Sequence, residues 1–310
     1  MLPKRPLGRS GLKTGVLGLG TMNFGSDWCG RRPADDRTAS SILDAALEAG
    51  VDLVDTADVY GLGASESMLG RLLGRRRSRI LLATKVCGEM RPGDPSSGGL
   101  SARHIRSALD ASLRRLRTDR VDLYMAHAPD PRVPIGETLE AFGRAVRSGK
   151  ARSVGCSNFT AGQWKEALAL AGGCLPRLEF NQVSFSLARP HAERELAPLC
   201  AAEGVSVLAW SPLGGGWLTG RYLSDLRRRE SLGLGRQGAE GLAALVSRAA
   251  RAEGLSPGQA ALGWVVSKPW VASAVFGAST ETQARENLGA RSLKPALAAM
   301  LDRAAFLCGA

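Results

Sequence analysis

Short runs rich in Val, Leu and Ile recur along the chain, and longer stretches with apolar positions three or four residues apart fill the spaces between them. A short apolar run bounded by turn residues reads as a buried parallel strand, and a 3.6-residue period reads as a crossover helix. Eight such runs occur: TGVLGLGT near 14–21, VDLVDTA at 51–57, ILLATKV at 80–86, VDLYMAH at 121–127, ARSVGCSN at 151–158, LEFNQVS at 178–184, VSVLAWSPL at 205–213 and ASAVFGAS at 272–279. Helical segments such as RTASSILDAALEAG and SARHIRSALDASLRRLR lie between them, the first ending in a glycine suited to a helix C-terminus. Eight strand–helix units in 310 residues predict a (β/α)8 TIM barrel, with residues 1–310 forming one domain. The opening segment RPLGRSGLKTG, with Ser-Gly at its turn, predicts an N-terminal β-hairpin that closes the lower end of the barrel.

Function in such a barrel sits on the loops after the strands. Residues 88–100 follow the third predicted strand and are too rich in Gly, Pro and Ser for regular structure, while 222–238 form a charged connection after the seventh. Both are candidate walls of a site. The net charge of +12 raises the question of nucleic acid, but Arg dominates on an Ala- and Gly-rich background, and GRRRSR and LRRRE read as solvated helix ends or loops. Attraction of a phosphorylated small ligand is the better use of that charge, and no nucleic-acid partner is expected. The six cysteines form no C-x-x-C pair or short-spaced His/Cys cluster, so neither a metal site nor a disulfide framework is expected. No apolar run approaches the roughly 20 residues that span a bilayer, and the first residues lack a secretory apolar core. The expectation is a cytoplasmic protein with reduced thiols and no membrane partner.

GVLGLGTMN and GLGASE each begin like a dinucleotide fingerprint, but Asn23 and Glu66 stand where the third glycine is needed. A nucleotide would have to bind in another way. Asp55, Lys85 and His127 fall at the ends of the second, third and fourth predicted strands, and Tyr60 follows Asp55 in its loop. A barrel brings all four to one rim. A phenol ordinarily titrates near pH 10, and a neighbouring ammonium stabilises its phenolate. Lys85 can play that part for Tyr60, Asp55 can hold Lys85 charged, and His127 can hydrogen-bond a substrate oxygen. Taken singly, each residue has an ordinary explanation as a cap, a packing ring, a surface charge or a polar contact. Their joint placement on successive strand ends points to a proton donor aimed at a carbonyl. His104, His191, Tyr124 and Tyr222 lack that placement and read as structural; Asp52 reads as an ordinary strand-start residue and Asp58 as a loop acid.

LGRSGLKTGVLGLGTMNFG, VDTADVYGLGASESMLGRLL, LLATKV, TDRVDLYMAHAPD, SGKARSVGCSNF, AWSPLGGGWLTGRY and GASTETQARENL resemble, block by block and in order, the aldo-keto reductase superfamily from Leu7 to Leu288. The resemblance implies that Asp55, Tyr60, Lys85 and His127 are the catalytic four, with Tyr60 the acid in reduction and the base in oxidation. It also implies NADPH lying extended across the rim without a Rossmann domain. The positions that match the family's cofactor contacts are Thr21 and Met22 after the first strand, Ser157, Asn158 and Gln182 for the nicotinamide carboxamide, and Trp210 for stacking. Ser211, Pro212, Leu213, Gly214 and Gly215, with free backbone N–H groups, suit the pyrophosphate, and Arg221 suits a phosphate. Gly277, Ser279, Gln283, Glu286 and Asn287 suit the adenosine. Some branches carry Lys and Arg where this chain has Gly277 and Gln283, and many relatives carry Tyr in place of Phe185.

The pattern is similar to bacterial reductases and to the aflatoxin-aldehyde-reductase-like and potassium-channel-beta-like branches. It implies reduction of a small-molecule aldehyde or ketone, with Trp28, Met90 and Trp217 as candidate pocket walls. The alternatives are reduction of a nucleotide-linked keto or enoyl sugar and a cofactor-sensing regulatory subunit with little turnover. The sequence names neither the substrate nor the oligomeric state.

Overall fold

The structure, a computed structural model, describes residues 2–27, 33–220 and 236–308. Trp28, Arg221 and residues 222–235 of the charged connection lie outside the described residues. After a two-stranded antiparallel hairpin, β1 (Lys4–Pro6) and β2 (Lys13–Gly15), the chain supplies eight parallel strands: β3 (Leu17–Gly20), β4 (Leu53–Asp55), β5 (Leu81–Val86), β6 (Val121–Ala126), β7 (Ala151–Ser157), β8 (Phe180–Ser184), β9 (Ser206–Trp210) and β10 (Val271–Phe276). They close in chain order, β10 pairing with β3, and each falls within or at the edge of one predicted run. Helices α1 (Asp36–Glu48), α2 (Ala64–Leu73), α3 (Ala102–Leu116), α4 (Ile135–Arg147), α5 (Ala161–Ala169), α6 (Ala192–Glu203), α7 (Arg236–Ala252), α8 (Pro257–Ser267), α9 (Glu281–Leu288) and α10 (Pro295–Cys308) surround the barrel.

Side chains alternate across each strand, and this fixes what the barrel encloses. Leu53, Ala83, Leu123, Met125, Phe180, Leu208, Ala272 and Val275 form one apolar cluster with Leu7 and Leu12 of the hairpin loop, which fill the lower end. Two residues beyond Leu53 on the same face stands Asp55; two beyond Ala83 stands Lys85; two beyond Met125 stands His127. The period that buries the apolar residues therefore lifts the polar ones to the upper rim. The alternate positions, Val54, Leu82, Val86 and Tyr124 among them, face the helices in the larger cluster.

Asp52 does more than start a strand. Its Oδ1 accepts from the Gly15 amide (2.8 Å) and the Thr14 hydroxyl (3.1 Å), and its Oδ2 pairs with Lys4 at 2.9 Å, which ties the hairpin to β4. Arg5 adds three bonds to the carbonyls of Val266, Lys268 and Val271 at 2.6–2.7 Å. The lower closure is thus fastened at both sides.

Gly155 on β7 lies against Phe180 of β8, and a Cβ there would come within 2.3 Å of the Phe180 ring and 2.5 Å of its carbonyl oxygen. A methyl group cannot enter without moving β8, the strand that carries Gln182. Gly155→Ala is expected to lower stability by about 1–3 kcal/mol, read as an earlier urea midpoint; a midpoint equal to that of the parent would show that the β7–β8 contact yields.

Candidate active site

Lys85 is fully buried beneath the rim, and its Nζ donates to Asp55 Oδ2 at 2.6 Å, to the Thr56 carbonyl at 2.8 Å and to Tyr60 Oη at 3.3 Å. The ammonium's three protons are all placed by these bonds. Burial alone works against the charged lysine, but Asp55 and the phenol more than offset it, and the lysine pKa lies above its ordinary value. Asp55 is itself held on both oxygens: its Oδ1 accepts from Gln182 Nε2 at 2.8 Å. The sequence assigned Gln182 only to a cofactor, so this second support of Asp55 is a finding of the structure. With its nitrogen committed, Gln182 keeps its amide oxygen as an acceptor.

The segment that joins Asp55 to Tyr60 is bonded along its length. Thr21 caps the Asp55 carbonyl with both its N–H (2.9 Å) and its hydroxyl (3.0 Å), and Ser65 of α2 links the hydroxyls of Thr21 and Thr56, each at 2.9 Å. Tyr60 then opens a turn in which Gly61 (φ 56°), Leu62 (φ 52°) and Gly63 (φ 93°) are all left-handed, and a Cβ at Gly61 would lie 2.4 Å from Ser26 Cβ. This tight turn aims the phenol back over Lys85, 4.9 Å from ring centroid to Nζ.

His127 follows β6, its N–H bonded to the Val86 carbonyl at 2.8 Å, and its ring meets Tyr60 edge to face at 5.6 Å. Burial, assisted by the Lys85 charge, lowers its pKa from 6.5 to about 3, so the imidazole is neutral at ordinary pH. Asn158, left-handed at φ 60°, donates to the His127 carbonyl at 2.9 Å and accepts from Trp210 Nε1 at 3.0 Å. Ser157 Oγ donates to the Gln182 carbonyl at 2.7 Å. The ends of β6, β7, β8 and β9 are in this way cross-linked into one rim.

Above these groups runs a cleft of about 640 Å³, within the size range of small-molecule sites. Thr21, Met22, Asp55, Tyr60, His127, Ser157, Asn158, Gln182, Trp210, Ser211, Pro212, Leu213, Gly215, Gly277, Ser279, Gln283 and Asn287 all line it. Lys85 lies below it. Among the described residues that the sequence proposed, Gly214, Glu286, Met90 and Trp217 do not line it. Trp217 is 3% exposed and packs in the outer core, because its glycine-rich turn folds back on the helices. Met90 is half-buried in the loop after β5, its N–H on the Ser97 carbonyl. The N–H groups of Gly214 and Gly215 are also not free: they bond to the carbonyl (2.8 Å) and the hydroxyl (3.0 Å) of Ser211. That corrects the expectation for this turn, whose glycines offer room instead. Asn23, Val59, Thr219, Val275 and Thr280 line the cleft and were missed. Asn23 alone carried a signal, as the polar residue that broke the glycine fingerprint; its amide bonds to the Ala278 carbonyl at 3.1 Å and joins the loops after β3 and β10.

The residues present fit an extended dinucleotide. Polar side chains converge at one end, Trp210 offers a half-buried ring in the middle, and at the far end a Cβ on Gly277 would meet only the Gly20 carbonyl, at 3.9 Å. Arg285 stands beyond this end, paired with Glu281 at 2.7 Å and Glu48 at 3.2 Å. Among the described residues, no group of His, Cys, Asp and Glu could hold a metal ion, and no helix is long and apolar enough to cross a membrane.

Comparison with known proteins points the same way. The sequence profile of the Aldo/keto reductase family matches residues 16–304. The chain is 37% identical over 305 residues to the uncharacterized oxidoreductase YrpG of Bacillus subtilis, covering 92% of this chain and 89% of that one. It is 35% identical over 308 residues to a putative voltage-gated potassium channel subunit beta of Schizosaccharomyces pombe, covering 93% and 88%. Among solved structures, the holo form of aldo-keto reductase AKR11C1 from Bacillus halodurans superposes with a TM-score of 0.82 at 30% identity, covering 98% and 96%. Profile, sequence and fold agree, and the chain belongs to the aldo/keto reductase family, oxidoreductases that use nicotinamide cofactors on carbonyl substrates.

Proposed function

We propose that this chain is an NADPH-dependent reductase that converts an aldehyde or ketone to the alcohol, with Tyr60 as the proton donor. The observation that carries the reading is the Asp55–Lys85–Tyr60 contact under the cleft, 2.6 Å and 3.3 Å along its two links. When bound, the nicotinamide supplies the hydride to the carbonyl carbon. The chain's part is to place the carbonyl oxygen against the Tyr60 hydroxyl, exclude water and stabilise the phenolate left behind. Lys85 does the last, since its ammonium is already oriented by Asp55 and the Thr56 carbonyl and needs no reorganisation as charge develops. His127, neutral and edge-on to the phenol, serves as a hydrogen-bond partner for the substrate oxygen rather than as a proton source. Ser157, Asn158 and Gln182 would hold the carboxamide end, and Ser279, Gln283 and Asn287 the adenosine end.

A second reading, a cofactor-sensing subunit, draws on the relatives named as potassium channel subunits. Tyr60→Phe decides for turnover: it is expected to keep NADPH affinity within about threefold while lowering carbonyl reduction by roughly 10²-fold or more. Unchanged turnover would remove Tyr60 from the donor role. NADPH binding with silence across a panel of aldehydes, ketones and sugar nucleotides would favour the sensing subunit.

His127→Gln is expected to keep the shape of the rate profile above pH 6.5, because the imidazole is already neutral there and does not titrate. Its effect on stability runs the other way: the folded histidine titrates at about 3 and the unfolded one at 6.5. The stability of the neutral form is complete above 6.5 and is lost as pH falls toward 3. Melting temperatures of the variant should therefore decline less steeply across that window, and an identical decline would show that the ring is not held neutral.

Cofactor choice rests on Ser279 and Gln283, since Arg285 is committed to two carboxylates. Fluorescence titration is expected to show tighter binding of NADPH than NADH, and Gln283→Arg to widen the ratio by about tenfold through a phosphate pair. Equal affinities in the parent protein would overturn the NADPH assignment.

A further inference from the structure

Asp58 lies between Asp55 and Tyr60 but faces away from the cleft, into the layer between the barrel and helices α2 and α3. It is fully buried, and neither carboxyl oxygen has a well-formed hydrogen bond; the adjacent Val59 N–H lends only partial support. A buried carboxylate without donors is costly, so a carboxyl in this position resists ionisation. Its backbone cannot swing it out: the Asp58 N–H is bonded to the carbonyl of Lys85 itself at 3.3 Å, and the Thr56 and Tyr60 amides are bonded to Ala83 and Ala57 at 3.0 and 3.3 Å.

The groups that act on it come from every neighbouring element. Glu66 stands on α2, Arg115 on α3, Lys85 on β5, Cys87 just past it and Tyr124 on β6. The donors in this layer are already taken, since Glu66 holds Arg115 Nε at 2.7 Å and the Thr84 hydroxyl at 2.5 Å. Two buried carboxyls thus share one guanidinium, and Glu66 has it. Burial first, then the Glu66 charge, push Asp58 up to about 7, against weak opposition from the Val59 N–H, Arg115 and Lys85.

We propose that Asp58 is a positioning residue that sets the charge behind the Lys85–Tyr60 pair: neutral, it leaves Asp55 to balance the ammonium, and ionised, it weakens Tyr60 as a proton donor. The second anion acts through a layer of low dielectric and opposes the phenolate that forms when Tyr60 gives up its proton. Carbonyl reduction then falls as pH rises through neutrality, for a reason separate from the ionisation of Tyr60 itself. The inference rests on Tyr60 being the donor, and its test separates the two.

The first readout is kcat/KM for NADPH-dependent reduction of an aromatic aldehyde between about pH 5.5 and 9 in the whole chain. The parent is expected to show a limb near neutrality across which the rate drops roughly threefold to tenfold. Asp58→Asn should abolish that limb. Glu66→Gln removes the like charge beside Asp58 and should move the limb to lower pH. The limb persisting unshifted in both variants would overturn the proposal. The second readout needs no turnover: the phenolate absorbance of each protein, minus that of its Tyr60→Phe counterpart, reports Tyr60 alone. Asp58→Asn should shift that ionisation to lower pH, and an unmoved midpoint would overturn the proposal. An enzyme silent on every carbonyl would sink the reductase reading while this titration still decides the role of Asp58. If Asp58→Asn does not fold, Glu66→Gln decides on the first readout: a limb that stays in place in that variant overturns the proposal.

Discussion

A lysine ammonium with no solvent exposure is the constraint around which the upper half of this barrel is arranged. Taking such a charge out of water costs several kcal/mol after relaxation, and removing its partner would leave that cost unopposed. The chain meets the demand with close oxygens: Asp55 Oδ2, the Thr56 carbonyl and the Tyr60 hydroxyl. Each of these is held in turn. Gln182 reaches across from β8 to the other oxygen of Asp55, and Thr21 fixes the Asp55 carbonyl from β3's end. Asp55 and the phenol both line the cleft, and the phenol is the one of the two that bears a proton, so the electrostatic need of a buried cation meets a hydroxyl at a surface.

The rim that carries this pair is braced by polar contacts rather than apolar ones. Asn158 and Ser211 both adopt left-handed backbone, at φ 60° and 54°. Non-glycine residues in that region carry strain that surrounding bonds must hold. Asn158 is held by His127, Ser157 and Trp210, and Ser211 by the glycine turn that folds onto its hydroxyl and carbonyl. A small shift of any one strand end would be felt at the others.

Much of this was legible before the structure. The eight strands followed from apolar runs alone, and Asp55, Lys85 and His127 stood out by their position at the ends of three successive predicted strands. Tyr124, set aside as mid-strand packing, does bury its ring and bonds the Ile105 carbonyl at 3.1 Å. Phe185 could only be recorded as lacking a hydroxyl; the structure seats its ring between Trp264 and Trp270 at 5.0 and 4.7 Å. What stayed hidden lies where periodicity stops. Alternation along β4 ends at Asp55, so nothing in the string DTADVYG tells that Asp58 turns inward to a donor-poor layer. Trp217 in its glycine turn had no period to say which way it faces, and Gln182 gave no hint of a bond to a residue 127 positions earlier.

The hairpin loop gives the barrel its direction. Leu7 and Leu12 stop the lower end, and Leu53, Ala83 and Leu123 fill the space above them, so no described polar path leads downward from the lysine. The groups bonded to Nζ that meet the cleft, Asp55 and the Tyr60 hydroxyl, both lie at the top. A molecule that fills the cleft therefore covers the single open face of the lysine's surroundings among the described residues, and the ammonium below it is screened from water on every side.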